Sequence, residues 1–282
     1  MKDHENMTNN AALTRDEEKF AERKEMKYLL PPIAHGIKVN GKIMLPANAS
    51  ASRPVPGAVL CHGFGANQNV MESGALLLVN KGIATIAFDL RGHGSSEGRL
   101  DGNFGSDVID AWRLLTRIPE VDSSRVALIG HSLGALSSIL AAKMVKPKAL
   151  VALSCPYEIE GTAFNNTSHK KAFHLVMWVV SIIWRFTILC KGLKVNVNWK
   201  KFLEAWSQVK LSSALADLNE CDKLFVFSEG DMLTPYKKFA QIYEKAPGPK
   251  QKMLTRGSHS TSVEAEILRF EWVGWVVSAL TA

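Results

Sequence analysis

Ser132 lies between two glycines, Gly130 and Gly134, at a point where a strand pattern changes into a helical one. Residues 126–129 form a short aliphatic run typical of a buried strand, and the residues from Leu133 onward repeat apolar side chains at helical spacing. A turn this tight needs small residues two positions before and two after its centre. It would hold the hydroxyl at a helix N-terminus, where backbone N–H groups stabilise negative charge. The stretch predicts a nucleophilic serine, with a helix-start serine of no chemical role as the alternative.

Other polar groups follow the ends of further predicted strands. His62 to Gly65 follow one strand, Asp89 to Gly94 the next, Asp231 a later one and His259 the last. Strand-like and helix-like segments alternate along most of the chain, which predicts an α/β fold with a mostly parallel sheet covered by helices on both faces. Because such sheets carry their chemistry at the carboxyl ends of the strands, these residues are expected to lie near Ser132.

The N-terminal part is expected to depart from this alternation. Residues 14–30 have the pattern of a charged helix that opens with a capping box, Thr14 to Glu17, so residues 1–30 are interpreted as a charged helical extension. Two alternating runs then flank Asn40-Gly41, a dipeptide that favours a tight turn. An antiparallel hairpin with its turn at this dipeptide is therefore predicted to lead the sheet.

The ordered motifs resemble those of the α/β-hydrolase-fold serine hydrolases. From about Gly36 onward, the family's order is matched by HGFG, FDLRGHGSSEG, PEVDSSRVALIGHSLG, GDMLTP and GSH. The stretch PEVDSSRVALIGHS is similar to the branch that contains dienelactone hydrolases, acyl-peptide hydrolases and serine aminopeptidase-like esterases. The resemblance implies an α/β-hydrolase core over residues 31–155 and 219–282, interrupted by a helical cap insertion over residues 156–218.

The resemblance also implies a catalytic triad of Ser132, Asp231 and His259, in the chain order that this fold uses. His259 would accept the serine proton as general base, because a serine hydroxyl is a poor nucleophile at neutral pH. The carboxylate of Asp231 would fix the imidazole tautomer and stabilise the imidazolium. Glu229, two residues earlier, could reach the same space and is the alternative acid.

An oxyanion hole is expected from the backbone N–H groups of Phe64 and Leu133, since the tetrahedral intermediate needs preorganised donors. His62 is interpreted as a residue that orders this loop by hydrogen bonding. The remaining polar residues of the motifs are expected to have structural roles, with a substrate contact as the alternative for the first two: Arg91, His93 and His131.

The predicted cap has an unusual composition. Residues 161–210 carry eight Lys or Arg and a single acid, Glu204, an excess equal to the formal charge of +7 of the whole chain. The run LVMWVVSIIW is uncharged and mostly apolar, and it is too short to cross a bilayer, which needs about 20 residues. Four of the seven tryptophans lie in this segment: Trp178, Trp184, Trp199 and Trp206.

A helix that is apolar on nearly all sides must bury that surface. Packing of the cap on its own domain is one explanation. A hydrophobic acyl pocket lined by Trp178 and Trp184 is another, and attachment to an anionic membrane surface is a third, weaker one. Nucleic-acid binding is not predicted, because no motif for it is present and the basic residues lie in an apolar region.

The sequence as a whole predicts a carboxylic-ester hydrolase for a small-molecule substrate with a small to medium-chain or aromatic acyl group, and no metal or organic cofactor. The alternatives are a thioesterase or acyltransferase, a peptidase, and a non-catalytic binding protein of the same fold. The four cysteines are widely spaced, which favours buried free thiols. The opening residues are polar, unlike a secretory signal, so a cytoplasmic location is expected. Oligomeric state has no signal in the sequence.

Overall fold

The computed structural model describes residues 37–157 and 195–282 and the backbone of residues 24–30. Eight strands form one sheet: β1 (Lys24–Leu30), β2 (Val39–Leu45), β3 (Val55–Cys61), β4 (Ala84–Phe88), β5 (Val121–His131), β6 (Ala149–Leu153), β7 (Asp222–Ser228) and β8 (Lys250–Thr255). Their order across the sheet is β1-β2-β4-β3-β5-β6-β7-β8. All pairs of neighbouring strands among β3 to β8 are parallel. Strand β2 is antiparallel to both β1 and β4.

The described helices follow the strands in alternation, as the sequence predicts. Their bounds are α1 (Asn69–Asn80), α2 (Ser106–Leu115), α3 (Leu133–Val145), α4 (Trp199–Trp206), α5 (Leu211–Ala216), α6 (Tyr236–Lys245), α7 (Thr261–Glu264) and α8 (Glu266–Thr281). The predicted α/β fold with a mostly parallel sheet is therefore confirmed.

Two apolar layers cover the sheet, one on each face. One layer joins the sheet to α2, α3, α5 and α6, through residues such as Leu136, Leu215 and Phe239. The other joins it to α1 and α8, through Leu78 and Trp272. Because both faces are covered, the central strands β3 and β4 are buried along their whole length.

Two predictions for the N-terminal part are wrong. The helix expected over residues 14–30 is contradicted over Lys24–Leu30, which form β1 and pair along seven positions with β2; residues 1–23 lie outside the described part. The turn expected at Asn40-Gly41 is instead inside β2, where Gly41 pairs with Tyr28 on one side and Phe88 on the other. Pairing with β2 outweighs the local helix preference of residues 24–30, and pairing with both β1 and β4 outweighs the turn preference of Asn40-Gly41.

The predicted cap is described only in part, because residues 158–194 lie outside the described residues. Of its remaining residues, α4 and α5 are helical, as predicted. Leu211, Leu215 and Leu218 are buried in the same apolar layer as α3. Phe202 and Leu203 of α4 belong to the same layer, so both described helices of the predicted cap pack on the body of the fold.

Cys61, Cys155 and Cys221 are buried free thiols, as predicted, and Cys190 lies outside the described residues. Burial raises the pKa of all three thiols, that of Cys221 to about 12. Over the described ranges, none of the helices has the length and apolar character needed to span a membrane.

Candidate active site

Ser132 occupies the sharp turn between β5 and α3. Its backbone has φ 53° and ψ −119°, a conformation that L-residues rarely adopt. The turn is fastened by the Ser132 N–H, which donates to the Leu153 carbonyl at 2.8 Å, and by the Ser132 carbonyl, which accepts from Ala135 and Leu136 at 2.9 and 3.1 Å. The side chain is partly exposed. The geometry is that of a serine held at a helix N-terminus, open to a reactant.

The two flanking glycines are required by close backbone contacts. A Cβ atom at Gly130 would collide with the backbone of Gly134, and one at Gly134 would collide with the carbonyl oxygens of Cys61 and His62. Since all of these obstacles are backbone atoms, no rotamer change could relieve them. The glycine spacing seen in the sequence therefore reflects the packing of α3 against the end of β3.

The loop after β3 lies directly against the serine turn. A Cβ at Gly63 would be 3.1 Å from Cβ of Ser132. Phe64 follows Gly63, and Leu133 is the first residue of α3, where a backbone N–H has no acceptor within its own helix. The two residues predicted to donate to an oxyanion therefore belong to the two segments that meet at Ser132.

His62 holds this loop in place, as predicted. Its Nδ1 lies 2.7 Å from the Gly63 carbonyl, and its Nε2 accepts from the Leu90 N–H at 3.0 Å, which assigns the proton to Nδ1. Burial lowers the pKa of His62 to about 3. The ring is therefore neutral at ordinary pH and ties the end of β3 to the end of β4.

Asp231 and His259 are brought together by the loops after β7 and β8. Oδ2 of Asp231 lies 2.8 Å from Nδ1 of His259, and the Asp231 side chain is 1 % exposed whereas that of His259 is 19 % exposed. Glu229 is exposed, and the hydrogen bond of Nδ1 goes to Asp231. The arrangement favours Asp231 over Glu229 as the partner of the imidazole.

Thr234 is a member of the site that the sequence analysis missed. Its hydroxyl lies 2.6 Å from Oδ2 of Asp231, 3.1 Å from the Ser154 carbonyl and 3.3 Å from Nδ1 of His259. Oδ1 of Asp231 accepts from the N–H groups of Leu233 and Thr234 at 2.9 and 2.8 Å. A threonine three residues after an acid at a strand end is the signal that could have indicated this turn.

The carboxylate of Asp231 is stabilised in its charged form. Burial alone would raise its pKa, but the hydrogen bonds from His259 and then Thr234 outweigh burial and lower the pKa to about 2. The charge is therefore present at any pH at which the protein is expected to work, so it is available to an imidazolium at His259.

His131, next to the serine, contacts the loop of His259. Its Nε2 lies 3.0 Å from the His259 carbonyl, and the two rings are tilted with centroids 5.0 Å apart. Burial lowers the pKa of His131 to about 4, against the opposing effect of that hydrogen bond. These contacts support the predicted structural role, in which a neutral His131 links the end of β5 to the backbone that carries His259.

Arg91 and His93 fix the loop after β4, as expected. The Arg91 guanidinium binds the Asp107 carboxylate through Nε and Nη2, at 3.0 and 2.7 Å to Oδ1, and both side chains are buried. His93 contacts the Arg91 carbonyl through Nδ1 at 3.1 Å, and its ring packs on that of Phe64. These contacts stabilise the loop beneath Phe64.

Aromatic residues of α4 lie over Phe64. The rings of Trp199 and Phe202 have centroids 5.9 and 6.1 Å from that of Phe64. Trp178 and Trp184, predicted to line an acyl pocket, lie outside the described residues. The described part of the predicted cap therefore contacts the loop next to Ser132 through α4.

The chain matches the family described as serine aminopeptidase, S33, over residues 53–198, which is about half of its length. This match includes Phe64, Ser132 and Leu133 but ends before Asp231 and His259. It supports the predicted resemblance to α/β-hydrolase serine hydrolases.

The chain is also similar to individual proteins. An uncharacterized protein of Mycobacterium tuberculosis is 31% identical over 97 residues, 34% of each chain, so the chain spans about a third of the length of this curated relative. The thiohydrolase aneE of Aspergillus aculeatus is 31% identical over 134 residues, 45% of this chain and 40% of that protein. Among solved structures, Est1E of Butyrivibrio proteoclasticus with ferulic acid bound superposes with a TM-score of 0.70 at 17% identity, covering 91% of this chain and 100% of Est1E. This last likeness shows the fold.

Proposed function

The chain belongs to the serine aminopeptidase S33 family of α/β hydrolases, and we propose that it hydrolyses carboxylic esters through an acyl-enzyme on Ser132. The observation that carries this proposal is the hydrogen bond of 2.8 Å between His259 and Asp231, at the sheet edge where Ser132 stands on its strained turn. A non-catalytic binding protein of this fold would have no need of an ionised, buried acid against an imidazole.

The acylation step follows from the tautomer that Asp231 imposes. With the proton on Nδ1 of His259 facing Oδ2 of Asp231, Nε2 carries a lone pair and takes the proton of the Ser132 hydroxyl as Oγ attacks the ester carbonyl carbon. The tetrahedral oxyanion is stabilised by the N–H groups of Phe64 and Leu133. Collapse breaks the bond to the alkoxy oxygen, which leaves as the alcohol with the proton from Nε2.

Deacylation repeats these reaction steps with water in place of the Ser132 hydroxyl. His259 removes a proton from water, the hydroxyl oxygen attacks the acyl carbon, and the bond to Ser132 Oγ breaks as Oγ regains its proton. The free acid leaves, and every atom is accounted for without a metal or organic cofactor.

Thioester hydrolysis is the second candidate, because one relative is a thiohydrolase and the same acyl intermediate serves both reactions. Peptide hydrolysis remains the alternative that the family description names. The predicted preference for small to medium-chain or aromatic acyl groups rests on the apolar composition of residues 175–184. A reducing, cytoplasmic location is supported by the three buried free thiols.

A fluorophosphonate probe tests the proposal, because an activated serine attacks phosphorus as it attacks a carbonyl. We expect covalent labelling that peptide mapping assigns to Ser132. His259→Ala should remove the labelling. Ser138→Ala, which replaces a buried serine in α3, should leave the labelling unchanged. A folded wild-type protein that is not labelled, or that is labelled at another residue, would contradict the serine mechanism.

A further inference from the structure

A polar cavity of about 410 Å³ lies beside the first turn of α4, between that helix and the loop after β4. Its volume is within the usual range of small-molecule sites. Apart from Gly98 and Ile37, the described residues that line it carry polar or charged side chains: Arg91, Arg99, Asp101, Asn103, Asn198 and Lys201. None of these residues has a part in the mechanism described above.

The cavity carries excess positive charge. Arg99 and Lys201 lie towards solvent, and over residues 37–157 and 195–282 neither has an ion-pair partner. The acid of the cavity, Asp101, is already engaged: Oδ1 lies 3.8 Å from Nη1 of Arg91 and accepts the Asn103 N–H at 3.3 Å. Among the described lining residues, two cations are thus left to attract an anion, while the carboxylate of Asp101 is partly neutralised.

The amides of the cavity add neutral donors. The side-chain oxygen of Asn198 accepts the Lys201 N–H at 3.3 Å as the cap of α4, and within the described part of the chain its NH₂ group is left to donate. A ligand with several anionic oxygens, such as a phosphate, matches two cations and an amide donor better than a single carboxylate does.

The cavity is adjacent to the loop of the proposed oxyanion hole. Trp199 and Phe202, which pack on Phe64, belong to the same first turn of α4 as Lys201. A helix is about 10 Å across. A group bound at Lys201 is therefore separated from the segment next to Ser132 by about the width of one helix.

We propose that this cavity binds a phosphate carried by the leaving group of the acyl substrate. The inference rests on the proposed function and names a substrate class for it. The phosphate could belong to the thiol of a coenzyme A thioester or to a phosphorylated alcohol. In both cases the phosphate stays with the leaving group while the acyl group passes to Ser132.

The test compares substrates that share an acyl group and differ in phosphate. Hexanoyl-4′-phosphopantetheine, which carries the 4′-phosphate of coenzyme A, is paired with hexanoyl-pantetheine, and hexanoyl-glycerol 3-phosphate is paired with monohexanoyl-glycerol. We expect the phosphorylated member of one pair to have about a tenfold higher kcat/KM at low salt, with the difference lost at high salt because exposed charges are screened. The pair that shows the difference identifies the source of the phosphate.

A double variant, Arg99→Gln with Lys201→Gln, should remove that preference while the unphosphorylated substrate keeps its kcat/KM within about twofold. The matched control is Lys81→Gln with Arg117→Gln, which removes one lysine and one arginine at exposed positions near the amino ends of β4 and β5. Equal kcat/KM within both pairs, or equal losses in both double variants, would overturn the proposal.

Calorimetric titration tests phosphate binding in the cavity independently of the proposed hydrolysis. Coenzyme A should bind the wild-type protein more tightly than pantetheine, and the Arg99 and Lys201 variant should lose that difference. If no substrate is turned over and Ser132 is not labelled, the proposed function is wrong, and the titration alone decides whether the cavity binds phosphate. If turnover occurs but coenzyme A and pantetheine bind equally and neither pair shows a preference, only the cavity proposal is wrong.

Discussion

Replacing Asp231 by asparagine should lower the catalytic rate without lowering the stability of the fold. The amide has the shape of the carboxylate, and its oxygen can take the place of Oδ1, where the N–H groups of Leu233 and Thr234 donate. The NH₂ group must then face the Thr234 hydroxyl and Nδ1 of His259. The hydroxyl can adapt, since it can give its proton to the Ser154 carbonyl and accept from the amide. Each contact of the Asp231 side chain can therefore still pair a donor with an acceptor, although two of them reverse direction.

The imidazole cannot adapt without losing its function. Nδ1 of His259 has to accept from the introduced amide, so the ring proton moves to Nε2 and no lone pair faces Ser132. The negative charge that would stabilise the imidazolium is lost as well. In a well-studied serine protease this change costs about 10⁴-fold in turnover, or about 5 kcal/mol of transition-state stabilisation. We expect a loss of that order here.

Initial rates of p-nitrophenyl ester hydrolysis measure the loss, and urea unfolding at pH 7 measures stability. Asp231→Asn should leave the urea midpoint nearly unchanged. Asp231→Ala should lower it, because the N–H groups of Leu233 and Thr234 are left without their acceptor. Glu229→Gln, at an exposed position, is the control and should keep its activity. A result in which Asp231→Asn retains activity within about tenfold while Glu229→Gln loses it would refute the assignment of the acid.

Three further predictions follow from buried groups and from the insertion. Burial lowers the pKa of His62 to about 3 and that of His131 to about 4, whereas histidines in the unfolded chain take up protons below about pH 6.5. The free energy of unfolding in urea should therefore fall by about 1.4 kcal/mol per pH unit for each ring as the pH drops from 6.5 to 4. A urea midpoint that stays constant from pH 7 to 5 would contradict this. Gly134→Ala should abolish the native thermal transition because its methyl group meets backbone oxygens, whereas Gly274→Ala, which points into open space in α8, should be tolerated or raise Tm. Trp178→Ala should shift the acyl-length preference in kcat/KM across a series of p-nitrophenyl esters; an unchanged series would leave the insertion with a packing role only.

The parts of the site that could be predicted are those in which a short stretch of chain determines its own geometry. The strand before Ser132, the helix after it and the two flanking glycines are neighbours in sequence, so periodicity and residue size suffice to indicate the turn. The closeness of Asp231 and His259 is expected from their places at strand ends, since the carboxyl ends of parallel strands lie on the same side of the sheet, while the choice of Asp231 as the acid was implied by the family resemblance.

The parts that could not be predicted depend on contacts between distant segments. Thr234 acquires its place because the loop after β7 meets Ser154 at the end of β6, a contact across 80 positions. The turn predicted at Asn40-Gly41 is wrong for a related reason, because β2 lies between two other strands and pairing on both sides keeps the dipeptide extended. Local propensity amounts to less than about 1 kcal/mol per residue, which a ladder of hydrogen bonds readily exceeds.

The contacts around Ser132 bear on how the proposed catalytic groups are positioned. His131 joins the serine turn to the His259 carbonyl, Thr234 joins the acid to β6, and Gly63 lies against Ser132 itself. Each of these contacts runs between strand ends of the sheet, so the reacting groups are oriented by the body of the fold. Changes within the insertion should accordingly alter which acyl group is accepted more than the rate at which a fluorophosphonate labels the serine. If replacements in the insertion abolished that labelling in a folded protein, the insertion would have to supply part of the catalytic geometry.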